Sequence, residues 1–410
     1  MLNRRDVLCL MPASALCWLG QTPSAQTQSA PALEALLPLP GPPVVQHLGC
    51  DGFAVSFAVG ELATGWVEWG LSPESLDQTA MAGRAGLVEA SERALVVPVS
   101  LGERGKPGRR IFYRVVAQSL SYRSAYDLLR GEPVSDATQC VTLPDAAAPE
   151  VRIAVVNDTH EHLQTVEALV ERIEAVQPEA LVWNGDTCAS AFDAPEDPPR
   201  VLLKPRWAMN RPLVFVPGNH DVRGASARIV RECLAAGPDP ALPYNVAYRM
   251  GPVALLTLDT GEDKPDAHPV FAGTAAYEPY RVRQAAWLRE SLRRSEIASA
   301  PFKVVFCHIP LRGLPNQNDG LSLEGFAAWS GDGAKAWMPI LREAGVSLVV
   351  SGHTHRWRVD EPDDGYPMQV VGGGPQNATL IVLDADRQSL HVAIQDLSGA
   401  ALAERRLKRS

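Results

Sequence analysis

The run Leu213-Val214-Phe215-Val216, bounded by Pro212 and Pro217, constrains the fold more than any other stretch of the chain. It is apolar, β-branched and of strand length, the pattern of a buried strand. The next residues, Gly218-Asn219-His220-Asp221, place an amide, an imidazole and a carboxylate on a glycine turn at that strand's end. In open α/β sheets the crevice beyond the strands' carboxyl ends is where ligands bind. From Asp221 to Leu234 the pattern predicts a helix.

Four further clusters repeat the arrangement. Asp158-Thr159-His160 follows the apolar run Ile153–Val156, and Gly185-Asp186 follows Leu181–Trp183. His308 follows Lys303–Phe306, and Gly352-His353-Thr354-His355 follows Ser347–Val350. Any one of these alone reads equally well as turn chemistry or as a satisfied core histidine. Together, and in this order at strand ends, they form a ligand set of carboxylate, imidazole and amide donors suited to Zn, Fe or Mn. The set is too large for one tetrahedral ion with an open position. It matches two ions sharing a carboxylate, a pair that clamps the attacking and leaving oxygens of an in-line displacement and acidifies a bridging water.

The rest of the chain divides around that core. Its 410 residues suggest two domains. Residues 1–25 begin Asn3-Arg4-Arg5 and continue with an apolar run too short to span a bilayer, resembling a twin-arginine signal peptide. That predicts export, through machinery of the twin-arginine type, to the periplasm or beyond the cell. Residues 26–43 are a proline-rich linker, and 44–143 carry short strand patterns such as Phe53–Val59 and Ile111–Val116, which predict a β-sandwich. From 150 to 410 the pattern alternates strand and helix, with helices at Leu163–Val176, Arg283–Arg294 and Ala334–Ala344, before a β-rich tail from Met368 to Leu407. The net charge of −9 and the absence of a basic block argue against a nucleic-acid-binding patch, and no later segment is long enough for a membrane span. Beyond the signal, the odd number of cysteines (Cys50, Cys140, Cys188, Cys233 and Cys307) argues against a complete disulfide framework, although Cys50 and Cys140 share a domain and could pair. Cys188 and Cys307 read as packing residues, and Trp287 and Trp337 as core.

The order Asp-x-His, Gly-Asp, Gly-Asn-His-Asp, His, Gly-His-x-His resembles the calcineurin-like metallophosphoesterase superfamily over about residues 151 to 384. The preceding β segment, through Val67-Glu68-Trp69-Gly70 and Tyr113-Arg114-Val115, is similar to the fibronectin type III-like domain of purple acid phosphatases. The resemblance implies an N-terminal all-β sandwich followed by a four-layer α/β/β/α catalytic domain. It implies one metal held by Asp158, His160, Asp186 and His355, and another held by Asp186, Asn219, His308 and His353. His220 would stay off the metals and either stabilise the transition state or protonate the leaving oxygen, with Asp221 orienting and charging it. The implied reaction is hydrolysis of a small-molecule phosphate ester, a monoester first, by direct attack of a metal-bridged hydroxide on phosphorus.

Two departures from the purple enzymes matter. Their first motif has glycine where this chain has His160, and their second ends in tyrosine where this chain has Ala189. With no tyrosinate to ligate iron, a purple charge-transfer band is not expected. Arg223 could contact a substrate phosphate through its bidentate fork or pair at a helix start. His162 could face the cleft or solvent, and the long loops Gly261–Tyr280 and Arg312–Gly333 could shape the substrate pocket. A phosphodiesterase acting on nucleotide or lipid head-group diesters, and a non-catalytic metal-containing binding protein of the cell envelope, are the other readings of the same pattern.

Overall fold

The computed structural model describes residues 39–313, 326–363 and 365–409. The expected signal peptide, most of the linker and the middle of the loop Arg312–Gly333 lie outside those residues. The N-terminal strands form two sheets. A small one contains Val44–Gln46, Gly52–Ala58 and Ala94–Ser100, and a larger one is built around the 15-residue strand Arg110–Ser124. Alternating side chains from both, including Val55, Phe57, Val67, Val97, Ile111 and Tyr113, fill the space between them. Cys50 and Cys140 are both free: the first turns to the Pro144 carbonyl and the second lies beside Arg110.

The sandwich is anchored to the rest of the chain. Val44, Ala58 and Ala94 join the same buried cluster as Trp207, Phe215 and Val230. Tyr113 Oη donates to the Met209 carbonyl at 2.6 Å, and Val45 N donates to Ala208 O at 2.9 Å. The described residues therefore form one compact unit.

Beyond the sandwich, two six-stranded sheets stack face to face. The first runs Leu213–Val216, Ala180–Asn184, Glu150–Val156, Leu380–Asp386, Ser389–Gln395, Ala401–Lys408. Its first three strands are parallel and the rest antiparallel. The second sheet runs Ala247–Met250, Val253–Leu258, Phe302–Cys307, Leu348–Ser351, Met368–Val371, Arg358–Asp360. Inward side chains such as Ile153, Val182, Val304 and Val350 make a shared core. Helix Leu163–Val176 covers the outer face of the first sheet through Leu169 and Ile173. Helices Tyr277–Arg293 and Phe326–Glu343 cover the second. The result is the four-layer α/β/β/α arrangement, in which strands from both sheets end on one edge.

Three helix expectations need correction. The segment after Asp221 is mostly turn, with a 3-10 turn at Ala227–Ile229 and one helical turn at Val230–Cys233. Gly224 sits at φ +92°, outside helical space, and its backbone packs against Phe192. The helix predicted at Arg283–Arg294 begins at Tyr277, where the Asp266 carboxylate accepts the Tyr277 and Glu278 amides from outside the helix. The helix predicted at Ala334–Ala344 begins at Phe326 and carries Pro339 inside it.

Candidate metal centre

Three of the five clusters leave their strands through backbone turns that side chains normally avoid. Asp158, His160, Asp186, His353 and His355 all take positive φ, between 45° and 71°. Such non-glycine conformations are uncommon and concentrate where function demands an otherwise strained geometry. Gly185, at φ +85°, lies so close to His308 that a Cβ would sit 2.3 Å from its Nδ1. Only glycine lets the Asp186 turn and the His308 ring share that space.

These turns converge. The donor atoms of Asp158, His160, Asp186 and His355 lie within 4.8 Å of one another, and so do those of Asp186, His308 and His353. Asp186 belongs to both groups. Asn219 Oδ1 approaches His353 Nδ1 at 2.8 Å, so the amide joins the second group's edge. His160 Nε2 and His355 Nε2 face each other at 2.9 Å. Two ring nitrogens aimed together, around a pair of carboxylates exposed by no more than 1%, are the donor arrangement that suits a cation.

The electrostatics agree. Burial pushes the Asp186 carboxyl upward, but the His308 charge and hydrogen bond hold it far below the usual carboxylate range. Asp158 is held down in the same way, burial again being outweighed by His308 and His355. Burial would lower His308, yet Asp186 and Asp158 raise it to about 10. His353 is pushed down to about 3 by burial and by the charge on His308. One imidazole thus supplies positive charge to the buried acids, and its neighbour stays neutral and ready to donate a lone pair.

The surroundings depart from expectation at two residues. The sequence reading sets Asp221 to orient the His220 imidazole, but the tight Gly218–Asp221 turn points its carboxylate the other way. Asp221 accepts from Thr187 Oγ1 at 2.6 Å, Thr187 N at 3.0 Å and Gly218 N at 2.8 Å. It braces the loop that carries Asp186. His220 instead packs edge-on against His160, with ring centroids 4.8 Å apart, and its buried Nδ1 has no partner among the described residues. Burial pushes His220 down to about 4. The Arg223 fork, a candidate for substrate phosphate, is already engaged by Glu262 and Asp263. His162 begins helix Leu163–Val176 and bonds Thr165 Oγ1 at 2.7 Å. Cys188 and Cys307 are buried packing residues, Trp337 is fully buried and Trp287 partly so.

Three residues not singled out from the sequence complete the site. Asn157 Nδ2 donates to Asp158 Oδ2 and to the Gly373 carbonyl, at 2.5 and 2.9 Å. Asn184 Nδ2 donates to the carbonyls of Cys307 and Val350, tying the two sheets together at their ends. Asp263 Oδ2 accepts from Asn219 Nδ2 at 3.4 Å. A polar residue directly after an apolar strand was the available signal for Asn157 and Asn184.

A family model described as calcineurin-like phosphoesterase matches residues 151–357. Among solved structures, the chain is similar to purple acid phosphatase PPD1 from yellow lupin (Lupinus luteus) seeds, with a TM-score of 0.66 and 13% identity over 91% of this chain and 75% of that one. It is also similar to PhoD, with a TM-score of 0.61 and 11% identity over 92% of this chain and 91% of that one. At these identities the likeness shows a common fold. No curated protein matches the sequence.

Proposed function

The chain belongs to the calcineurin-like phosphoesterase family, and on that premise we propose that it hydrolyses phosphate esters, monoesters in preference, using two metal ions that share Asp186. The observation that carries this reading is the pair of donor groups meeting at Asp186, with Asp158, His160 and His355 on one side and His308 and His353 on the other. Asn219 would join the second group. Bound there, two ions of Mn, Fe or Zn would supply hydroxide near neutral pH and positive charge against the phosphoryl oxygens.

The protein's own groups then have defined tasks. Asn184 O holds His308 through its Nδ1, which leaves Nε2 toward Asp186. Asp221 keeps the Asp186 loop in its strained turn. His220, part exposed beside Asp186 and lowered by burial, acts as a neutral N–H donor to a phosphoryl oxygen rather than as a standing acid. This choice between the two roles open to His220 follows from its surroundings.

Export is part of the proposal. It rests on the Asn3-Arg4-Arg5 start and the short apolar run after it. No helix among the described residues is long and apolar enough to cross a membrane.

The test is release of p-nitrophenol from p-nitrophenyl phosphate and its bis ester by protein stripped and reloaded with Mn, Zn or Fe. Metal-dependent turnover, faster on the monoester and abolished by Asp186→Ala, supports the reading. Folded, metal-loaded protein that turns over neither ester contradicts it.

A further inference from the structure

A cavity of about 550 Å³ opens beside the cluster, with His355 on its wall. Arg356 and Trp357, which directly follow that histidine, line one side, and Gln376 and Asn377 line another. The turn leading to these amides is pressed onto the histidine: a Cβ on Gly374 would lie 2.4 Å from His355 Cγ. The His355 side chain is itself 44% exposed. Cavity and metal-ligating edge are therefore continuous.

The chemistry of the wall is specific. Trp357 is 40% exposed, so its indole offers an open face. The guanidinium of Arg356 and the side-chain amides of Gln376 and Asn377 are exposed, with no partner among the described residues. The one acid on the wall, Asp396, turns its Oδ1 to its own turn, accepting from Ser398 N, Ser398 Oγ and Ala400 N. What remains is an unpaired cation, a planar apolar face and two amides able to donate and accept. In the cleft on the Arg223 side, Arg223 and Lys264 are paired with Glu262 and Asp263, and Arg228 is the cation without an ion pair among the described residues.

An indole face stacks on any planar ring, amides read the hydrogen-bonding edge of a base, and an unpaired guanidinium attracts an anion. A volume of this order suits a ligand larger than phosphate alone. Resting on the phosphoesterase reading, we propose that this cavity receives the leaving group, and that the leaving group is a nucleoside. The substrate class is then a nucleotide phosphate ester. Water's oxygen forms the new bond to phosphorus, the ester P–O bond breaks, and the nucleoside oxygen departs with a proton from water.

Two arms test this. In the first, metal-loaded protein is assayed on adenosine 5′-monophosphate and on glycerol phosphate, whose leaving group has no ring. Wild-type protein prefers the nucleotide in kcat/KM, Trp357→Ala reduces that preference about tenfold, and Trp357→Phe restores most of it. No preference in the wild type, or an equal fall on both esters in Trp357→Ala, overturns the proposal. In the second arm, adenosine binding to the chelated protein is followed by calorimetry. A fivefold or larger loss of affinity in Trp357→Ala supports the cavity assignment, and unchanged binding overturns it. Turnover of neither ester sinks the phosphoesterase reading, and the binding arm then decides the cavity by itself.

Discussion

The backbone carbonyl of Asn184 accepts from His308 Nδ1 at 2.8 Å, while the side chain of the same asparagine donates to the carbonyls of Cys307 and Val350 at 3.2 Å. A carbonyl can only accept, so Nδ1 carries the hydrogen and Nε2 is turned toward Asp186, 3.2 Å from its Oδ2. The residue closing one sheet thereby sets the tautomer of a histidine on the other. Partners of this kind orient metal ligands, and losing one typically lowers metal affinity about 10–100-fold. Asn184→Ala keeps that backbone carbonyl and removes only the side-chain donor, so a metal titration should show a smaller loss than that. The variant should also lose about 1–3 kcal/mol in urea unfolding, because the Cys307 and Val350 carbonyls lose a donor.

Asp221 separates a bracing role from an orienting one. Its oxygens are occupied by Thr187 and Gly218. Asp221→Asn keeps an acceptor for Thr187 though not for Gly218 N as well, and the acid limb of its pH–rate profile should stay where the wild type has it. Asp221→Ala should weaken metal binding and lower stability by roughly 1–3 kcal/mol. A limb displaced by a full pH unit in Asp221→Asn would return Asp221 to the role of charging His220.

Arg223 is predicted to matter for folding more than for substrate. Glu262 and Asp263 are nearly buried, and Arg223 and Lys264 are their cations. Arg223→Met takes the bidentate partner from both acids and leaves them Lys264, and should cost about 1–3 kcal/mol. Thermal unfolding checks the loss. KM for a small phosphate ester, measured well below the transition, should change less than threefold.

Metal uptake should release a proton. Asp186 and Asp158 raise His308 to about 10, from an ordinary value of 6.5. The chelated protein therefore carries that proton at pH 8, and an ion taking Nε2 must expel it. Affinity should fall as pH falls, and calorimetry in buffers of different ionisation enthalpy should find close to one proton released. The same shift gives the metal-free protein a stability term that is full below pH 6.5 and lost as pH rises through 10.

Asp259 gives a pH signature away from the ligands. Burial pushes its carboxyl up to about 6 from 3.8. A raised folded pKa stabilises through the protonated form, fully below 3.8 and progressively less as pH rises through 6. Asp259→Asn keeps an acceptor for Gly261 N, which bonds Asp259 Oδ1 at 2.7 Å. Relative to this variant, the wild type should lose roughly 3 kcal/mol between pH 4 and pH 7 in chemical unfolding.

What the sequence disclosed and what it withheld follow from distance along the chain. The strand ends were legible because an apolar run and the polar cluster after it are local, as at Leu213–Val216 and Asn219. The alternation of such runs with helical patterns pointed to an α/β domain, and the four layers were what the family resemblance implied. The role of Asp221 was not legible, because it depends on Thr187, 34 residues away, and on the direction of a turn. Arg223 meets acids 39 and 40 residues distant, in a loop with no periodic pattern. The early start at Tyr277 was hidden for a similar reason, since its cap is Asp266 rather than a neighbouring residue.

The shared position of Asp186 is tested most directly by counting metal per chain with inductively coupled plasma mass spectrometry after reloading and desalting. The account predicts two ions in the wild type, one in His355→Ala, one in His353→Ala, and neither retained in Asp186→Ala. A single ion in the wild type, or an Asp186→Ala protein that keeps two, would contradict it.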